Sequence, residues 1–195
     1  MDALIGTQTP DRRLTDPATA VAALERVVPE LGRLRRTTSS GIDWAQVERY
    51  LGVGLPSDYK LLAGTYPSLV FGDFLHVGFP PHGREKAWAE DTSDLEILAE
   101  WCQDAETTVP LRPFPAPGGL LPWATSYQGD YFLWHTREAD PDEWTITVAS
   151  RNGGWWHYAG GAVQFLADLV GGSVALWELP PVWPSVRAPA RSRAE

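Results

Sequence analysis

Leu120-Leu121-Pro122-Trp123, Gln128-Gly129-Asp130, Tyr131-Phe132-Leu133-Trp134 and Asp140-Pro141-Asp142-Glu143-Trp144 follow one another over 25 residues and describe a β-meander. Aromatic and β-branched runs favour a pleated, half-buried backbone, and the Gly-Asp pair between two of them marks a turn. The spacing predicts strands at about Leu121 to Tyr127, Tyr131 to Arg137 and Trp144 to Ser150. Asn152-Gly153-Gly154 marks a further turn, Trp155 to Tyr158 a fourth strand, and Ala162 to Val170, with Gln164-Phe165-Leu166, a closing helix. Gly171-Gly172 suits its end, where a left-handed residue is needed.

Upstream, the chain reads as helices. Thr15 or Asp16 caps a first one with Pro17 at its start and Val21, Leu24, Val27 and Val28 on one face, limited by Pro29. Asp43 caps a second, with Gln46 three residues on and Trp44, Val47 and Leu51 apolar, ending at Gly52. Leu55-Pro56 opens a third, capped near Ser57, with Tyr59, Leu61 and Leu62 expected inward. Leu69 to Val77 reads as a strand with a bulge or an edge at Gly72-Asp73. Ser93 to Ala105 reads as a helix with Leu95, Leu98, Trp101 and Cys102 aligned on one side and acids on the other. Pro110 to Pro117 is an irregular excursion, and the stretch from Pro180 reads as an extended, disordered tail.

Leu55-Pro56-Ser57-Asp58-Tyr59, Leu121-Pro122-Trp123, Gly129-Asp130, Trp134, Asp140-Pro141-Asp142-Glu143-Trp144 and Phe165-Leu166, in that order, resemble the SUKH superfamily. That is the fold of the yeast cell-wall assembly regulator and of many bacterial toxin-immunity proteins. The resemblance covers residues 42–172. It departs from the pattern at Gly64-Thr65-Tyr66-Pro67, where a glycine-rich turn is common, and in the extra N-terminal helix and proline-rich excursion. The expected fold is α+β: a predominantly antiparallel twisted sheet of five or six strands with helices packed mainly on one side. The organisation read from the chain is an N-terminal helix and linker over 1–41, a SUKH-like domain over 42–179, and a Pro/Arg-rich tail over 180–195. The function the resemblance implies is that of an intracellular immunity protein, which binds and neutralises a cognate toxin and catalyses nothing. A cellular regulatory or scaffold module of the same fold and a carbohydrate-binding protein are the alternatives.

Charge narrows the partners. The chain of 195 residues has a net charge of -9, but residues 42–182 hold 19 acidic against 7 basic side chains. Such a field repels phosphate backbones and accelerates encounter with basic proteins. The expected partner is therefore a protein, a basic toxin domain, with no direct nucleic acid and no membrane. Candidate contacts are Asp91, Asp94 and Glu100 on the helix, Glu138, Asp140, Asp142 and Glu143 on the meander connection, and Trp155. Trp155 and Trp156 face opposite sides of a strand, so one ring lies beneath the stretch containing Trp177 and Trp183 or forms an exposed anchor.

Enzyme chemistry finds no support in the spacing. His76, His82, His135 and His157 form no H-E-x-x-H, there is no paired cysteine and no G-x-S-x-G, and the glycine pairs precede the wrong elements for phosphate loops. Asp130 and Glu143 would be the carboxylate pair of a glycosidase, but turn chemistry explains both. Neither a catalytic residue nor a metal or cofactor is expected. The lone Cys102 falls in a packing stripe, and the opening residues have neither the basic start nor the apolar run of a secretory signal. A cytoplasmic location is expected.

Overall fold

The computed structural model describes residues 4–105, 107 and 110–189. In chain order these form β1 (Leu4–Gln8), α1 (Pro17–Val27), α2 (Trp44–Leu51), α3 (Ser57–Thr65), β2 (Leu69–Phe71), β3 (Leu75–Val77), α4 (Glu85–Ala89), α5 (Ser93–Asp104), β4 (Leu120–Ser126), β5 (Tyr131–His135), β6 (Thr145–Ala149), β7 (Trp155–Tyr158), α6 (Ala162–Gly171) and β8 (Val186–Arg187). The strands make a single sheet in the order β1-β7-β6-β5-β4-β3-β2-β8. All neighbours run antiparallel except β1 and β7, which are parallel. The mixed, mostly antiparallel class is as expected, whereas the strand count is eight among the described residues instead of five or six.

The two extra edge strands explain the difference. β1 lies alongside β7, with Leu4 opposite Trp155 and Gln8 opposite Tyr158. At the other edge, the segment expected to trail away from Pro180 instead crosses the β2–β3 turn. Val182 is buried, the Gly72 N–H donates to the Ser185 carbonyl at 2.9 Å, and Val186 pairs with Phe71. Gly72 permits this for two reasons. Its φ is +58° beside Asp73 at +53°, and a Cβ there would sit 2.9 Å from the Trp183 backbone nitrogen. The expected bulge in the 69–77 strand is thus a hairpin turn, closed by the Phe74 N–H on the Phe71 carbonyl at 2.9 Å. The tail's last residues, 190–195, lie outside the described residues.

Local chemistry sets the helix ends. Asp16 accepts from the Thr19 N–H at 2.7 Å and Asp43 from the Gln46 N–H at 3.0 Å. Gly52 and Gly172 close α2 and α6 at φ +81° and +76°. The stretch between α1 and α2 is held by its arginines: Arg35 pairs with Glu25, and Arg36 donates its Nε to the Tyr66 carbonyl at 3.0 Å.

The larger core lies between the sheet and α1, α2, α3 and α6, and it contains Leu55, Tyr59, Trp134 and Phe165 together. Phe165 is its hub, with ring centroids 6.3 Å from Trp123, 5.8 Å from Phe132, 5.9 Å from Trp156 and 5.3 Å from Tyr158. Leu61 departs from expectation and is exposed, because α3 turns Tyr59, Leu62 and Ala63 inward. A second core occupies the opposite sheet face, where Leu98 of α5 meets Leu120, Tyr131, Leu133, Ala149 and Trp155. Helices therefore cover both faces: α1, α2, α3 and α6 on one, with Trp88 of α4 packed against the same core, and α5 on the other.

Replacing Phe165 by Ala removes the ring shared by three strands and should cost about 3 to 5 kcal/mol. Urea unfolding of Phe165→Ala measures this; an unchanged midpoint would show that the hub contributes nothing.

Candidate functional site

The acidic residues separate into two groups once their partners are seen. In the meander connection, the Asp142 carboxylate accepts from the Ser57 backbone N–H at 2.6 Å and from the Ser57 hydroxyl at 2.8 Å. Asp142 thus stands at the positive end of α3, 85 residues away in sequence, and holds it against the connection. Asp140 accepts from the Asp142 N–H at 3.0 Å and caps the short turn Pro141–Glu143. Glu143 lies 3.8 Å from Arg13, which also donates to the Asp142 and Trp144 carbonyls. The Glu138 carbonyl receives the Trp144 indole N–H at 2.8 Å. All four acids are solvent-exposed, yet three spend their carboxylates on the fold and Glu138 contributes its backbone.

Asp58 extends this network inward. It accepts from the Val163 N–H at 3.0 Å, at the start of α6, and from the Tyr59 N–H at 2.7 Å. Burial raises its pKa against those two hydrogen bonds.

The α5 acids are arranged differently. Asp91 is turned back on the Ser93 N–H and hydroxyl, which lowers its pKa. Asp94 accepts from the Tyr131 hydroxyl at 3.1 Å and ties α5 to β5. Glu96, Glu100 and Asp104 point to solvent, and Ile97 between them is 44% exposed. Lys86 lies 3.7 Å from Glu90, but among the described residues no Lys or Arg reaches Asp91, Asp94, Glu96, Glu100 or Asp104.

Trp155 is not an exposed anchor. It is 2% exposed, in the second core with Leu98 and Leu133, while Trp156 on the other face meets Trp177 edge-on at 5.8 Å. Neither expected outcome holds for the ring turned away from the larger core: α5, not the stretch holding Trp177 and Trp183, shares the core that buries Trp155, while Trp156 lies in the larger core against Phe165. Of the ten tryptophans only Trp183 is largely exposed, at 68%, so the indoles make no continuous platform. Asp130 is a buried turn residue. It accepts from the Ser126 hydroxyl and from the Arg151 N–H at 3.0 Å, joining the β4–β5 and β6–β7 turns. Cys102 packs beside the second core, and burial pushes its thiol up to about 11.

Sequence reasoning passed over one feature of the same sheet face. Where α5 ends its coverage, a cleft of about 600 Å³ opens over β5, β6 and β7. Strand register builds its floor: His135 pairs with Thr145, and Thr147 pairs with His157. The two imidazoles stack at 5.6 Å and 18°, and His157 Nδ1 lies 2.8 Å from the Thr147 hydroxyl. Arg112 and Arg137 line the cleft, Leu111 and Leu120 give it an apolar wall, and no Asp or Glu is among its described lining residues. Burial and Arg137 lower the pKa of His135; burial, His135 and Arg137 lower that of His157 to about 4. His135 faces away from its neighbour Trp134 and is half-buried and stacked. The alternation of His135, Thr145, Thr147 and His157 along adjacent strands was the available signal.

Among the described residues no three His, Cys, Asp or Glu side chains gather as metal ligands, and no helix is long and apolar enough to cross a membrane. No protein-family model, curated protein or solved structure matches the chain.

Two outcomes follow from these partners. Asp142→Ala should destabilise the protein by about 1 kcal/mol through loss of the α3 cap, read as a lower urea midpoint; no change would remove Asp142 from the frame. His157 stays neutral in the folded chain but takes up a proton near its ordinary 6.5 when unfolded. Its contribution is therefore present above pH 6.5 and is lost as pH falls towards about 4. Discounted for partial exposure, this amounts to about 1 to 2 kcal/mol. Relative to wild type, His157→Gln should show a shallower loss of stability over that window; parallel pH curves would contradict it.

Proposed function

We propose that the chain is a protein-binding module of the SUKH kind, acting in the cytoplasm as an immunity protein that neutralises a bacterial toxin through the exposed acidic face of α5. The observation that carries this reading is the run between Lys86 and Arg112, where seven acidic residues occur with no Lys or Arg. Its described carboxylates beyond Glu90 have no cationic partner, and Ile97 places an apolar group among them. An acidic rim around an apolar contact suits a basic protein surface, such as the substrate groove of an enzyme that handles anions. A toxin so covered loses access to its substrate, and no catalysis by this chain is needed. The alternative acidic segment, 138–143, suits this role less well because its carboxylates cap helices and turns.

The test requires the cognate toxin domain, sought in the reading frames that neighbour this chain's own and produced separately. Association measured by stopped flow should slow by about tenfold from low to high salt, as for steered encounters. Glu100 and Asp104, which make no hydrogen bond or ion pair among the described residues, are then reversed together to Lys. The double variant should retain its unfolding midpoint, bind more slowly and protect toxin-expressing cells less. Equal association rates for the folded variant and wild type would reject the α5 face.

A further inference from the structure

We propose that the sheet-face cleft beside His135 and His157 is a binding site for a small organic anion, one with a carboxylate or phosphoryl head and an apolar body. The inference is independent of the α5 face and rests on four features of the cleft. Its volume of about 600 Å³ is that of a small-molecule site. Among the described residues its two charged groups, Arg112 and Arg137, are both cationic, in a chain whose net charge is -9. Among the described residues neither guanidinium makes a hydrogen bond or an ion pair, so their donors remain for a ligand. The wall of Leu111 and Leu120 offers apolar contact to the ligand's body beside those donors.

The imidazoles add a proton linkage. Among the described residues, the titratable and charged groups facing the site are His135 from β5, His157 from β7, Arg137 after β5, and Arg112 from the excursion before β4. The Tyr158 hydroxyl is turned away and donates to Asp168. In the empty cleft burial and the neighbouring cations keep both imidazoles neutral at ordinary pH. A bound anion offsets that repulsion, raises their affinity for protons, and so binds more tightly as pH falls.

Isothermal titration of the full chain with phenyl phosphate and with benzoate provides the test, with benzyl alcohol as the neutral control. At least one anion should bind about tenfold more tightly than the alcohol, and the tighter of the two identifies the head group. Arg112→Gln combined with Arg137→Gln should weaken it by about tenfold or more, each guanidinium supplying a charge-assisted hydrogen bond. Benzenesulfonate, which does not titrate in this range, should bind more tightly at about pH 6 than at about pH 8. In the unaltered protein, the His135 and His157 imidazole NMR signals should move on addition of the anion, a readout that does not depend on the variant folding. Absence of millimolar binding, equal affinity for anion and alcohol, or binding that leaves both imidazole signals in place would overturn the proposal. Because none of these measurements involves a toxin, they can fail while the immunity reading stands, and the reverse.

Discussion

The contact of one ring, Phe165, with four others is the constraint on which the molecule depends. Trp123, Phe132, Trp156 and Tyr158 come from three strands, and each reaches Phe165 only if its strand presents the right face. A slip of one residue in any of those strands would turn its aromatic away from the helix. The packing of α6 therefore selects the sheet register, and the sheet in turn orients α6. Asp58 completes the arrangement at the helix's first turn by accepting the Val163 N–H, which fixes how far along the sheet the ring can travel. Gln164, next to the hub, accepts from the Leu14 N–H and donates to the Arg12 carbonyl, so the approach to α1 is held to the same helix.

The acidity of the chain has two physical meanings. Carboxylates at Asp16, Asp43, Asp58, Asp130 and Asp142 accept backbone N–H groups that would otherwise lack a partner. Removing them would expose the cost of leaving donors unmade, and the charge is incidental. Glu100 and Asp104 on the outer side of α5 make no hydrogen bond or ion pair among the described residues, so there the charge is the point. Composition cannot separate the two sets, because both contribute equally to the net charge. Only their partners do so.

Much of this architecture is legible in the residues. The meander strands lie within a few residues of where alternation and turn signals place them, and Asp16, Asp43, Gly52 and the glycine pair at the end of α6 bound their helices by local chemistry alone. What was not legible depends on distant partners. Leu4–Gln8 is short and contains a glycine; it becomes a strand because β7 offers a free edge. Val186–Arg187 is likewise a strand only through Phe71 and Val70. The opposite facing of Trp155 and Trp156 follows from strand geometry, but which face α5 would cover does not. Asp142 reads as a solvated acid because nothing local shows that Ser57 lies beside it. The cleft was hidden for a related reason, since His135 and His157 become neighbours only through the strand between them.

The pairing of β1 with β7 also bears on how the chain is assembled. Residues 4–8 are made some 150 residues before the strand they must join. Through that interval the segment carries Leu4 and Ile5 with no place in the sheet, while α1 likewise awaits α6. The meander can form from local hairpins as it emerges, but the parallel edge must wait for a long loop to close. Biogenesis thus ends by stitching an earlier-made strand to one made much later, and a nascent-chain binder that shields residues 4–8 would have more influence on yield than one acting at the meander.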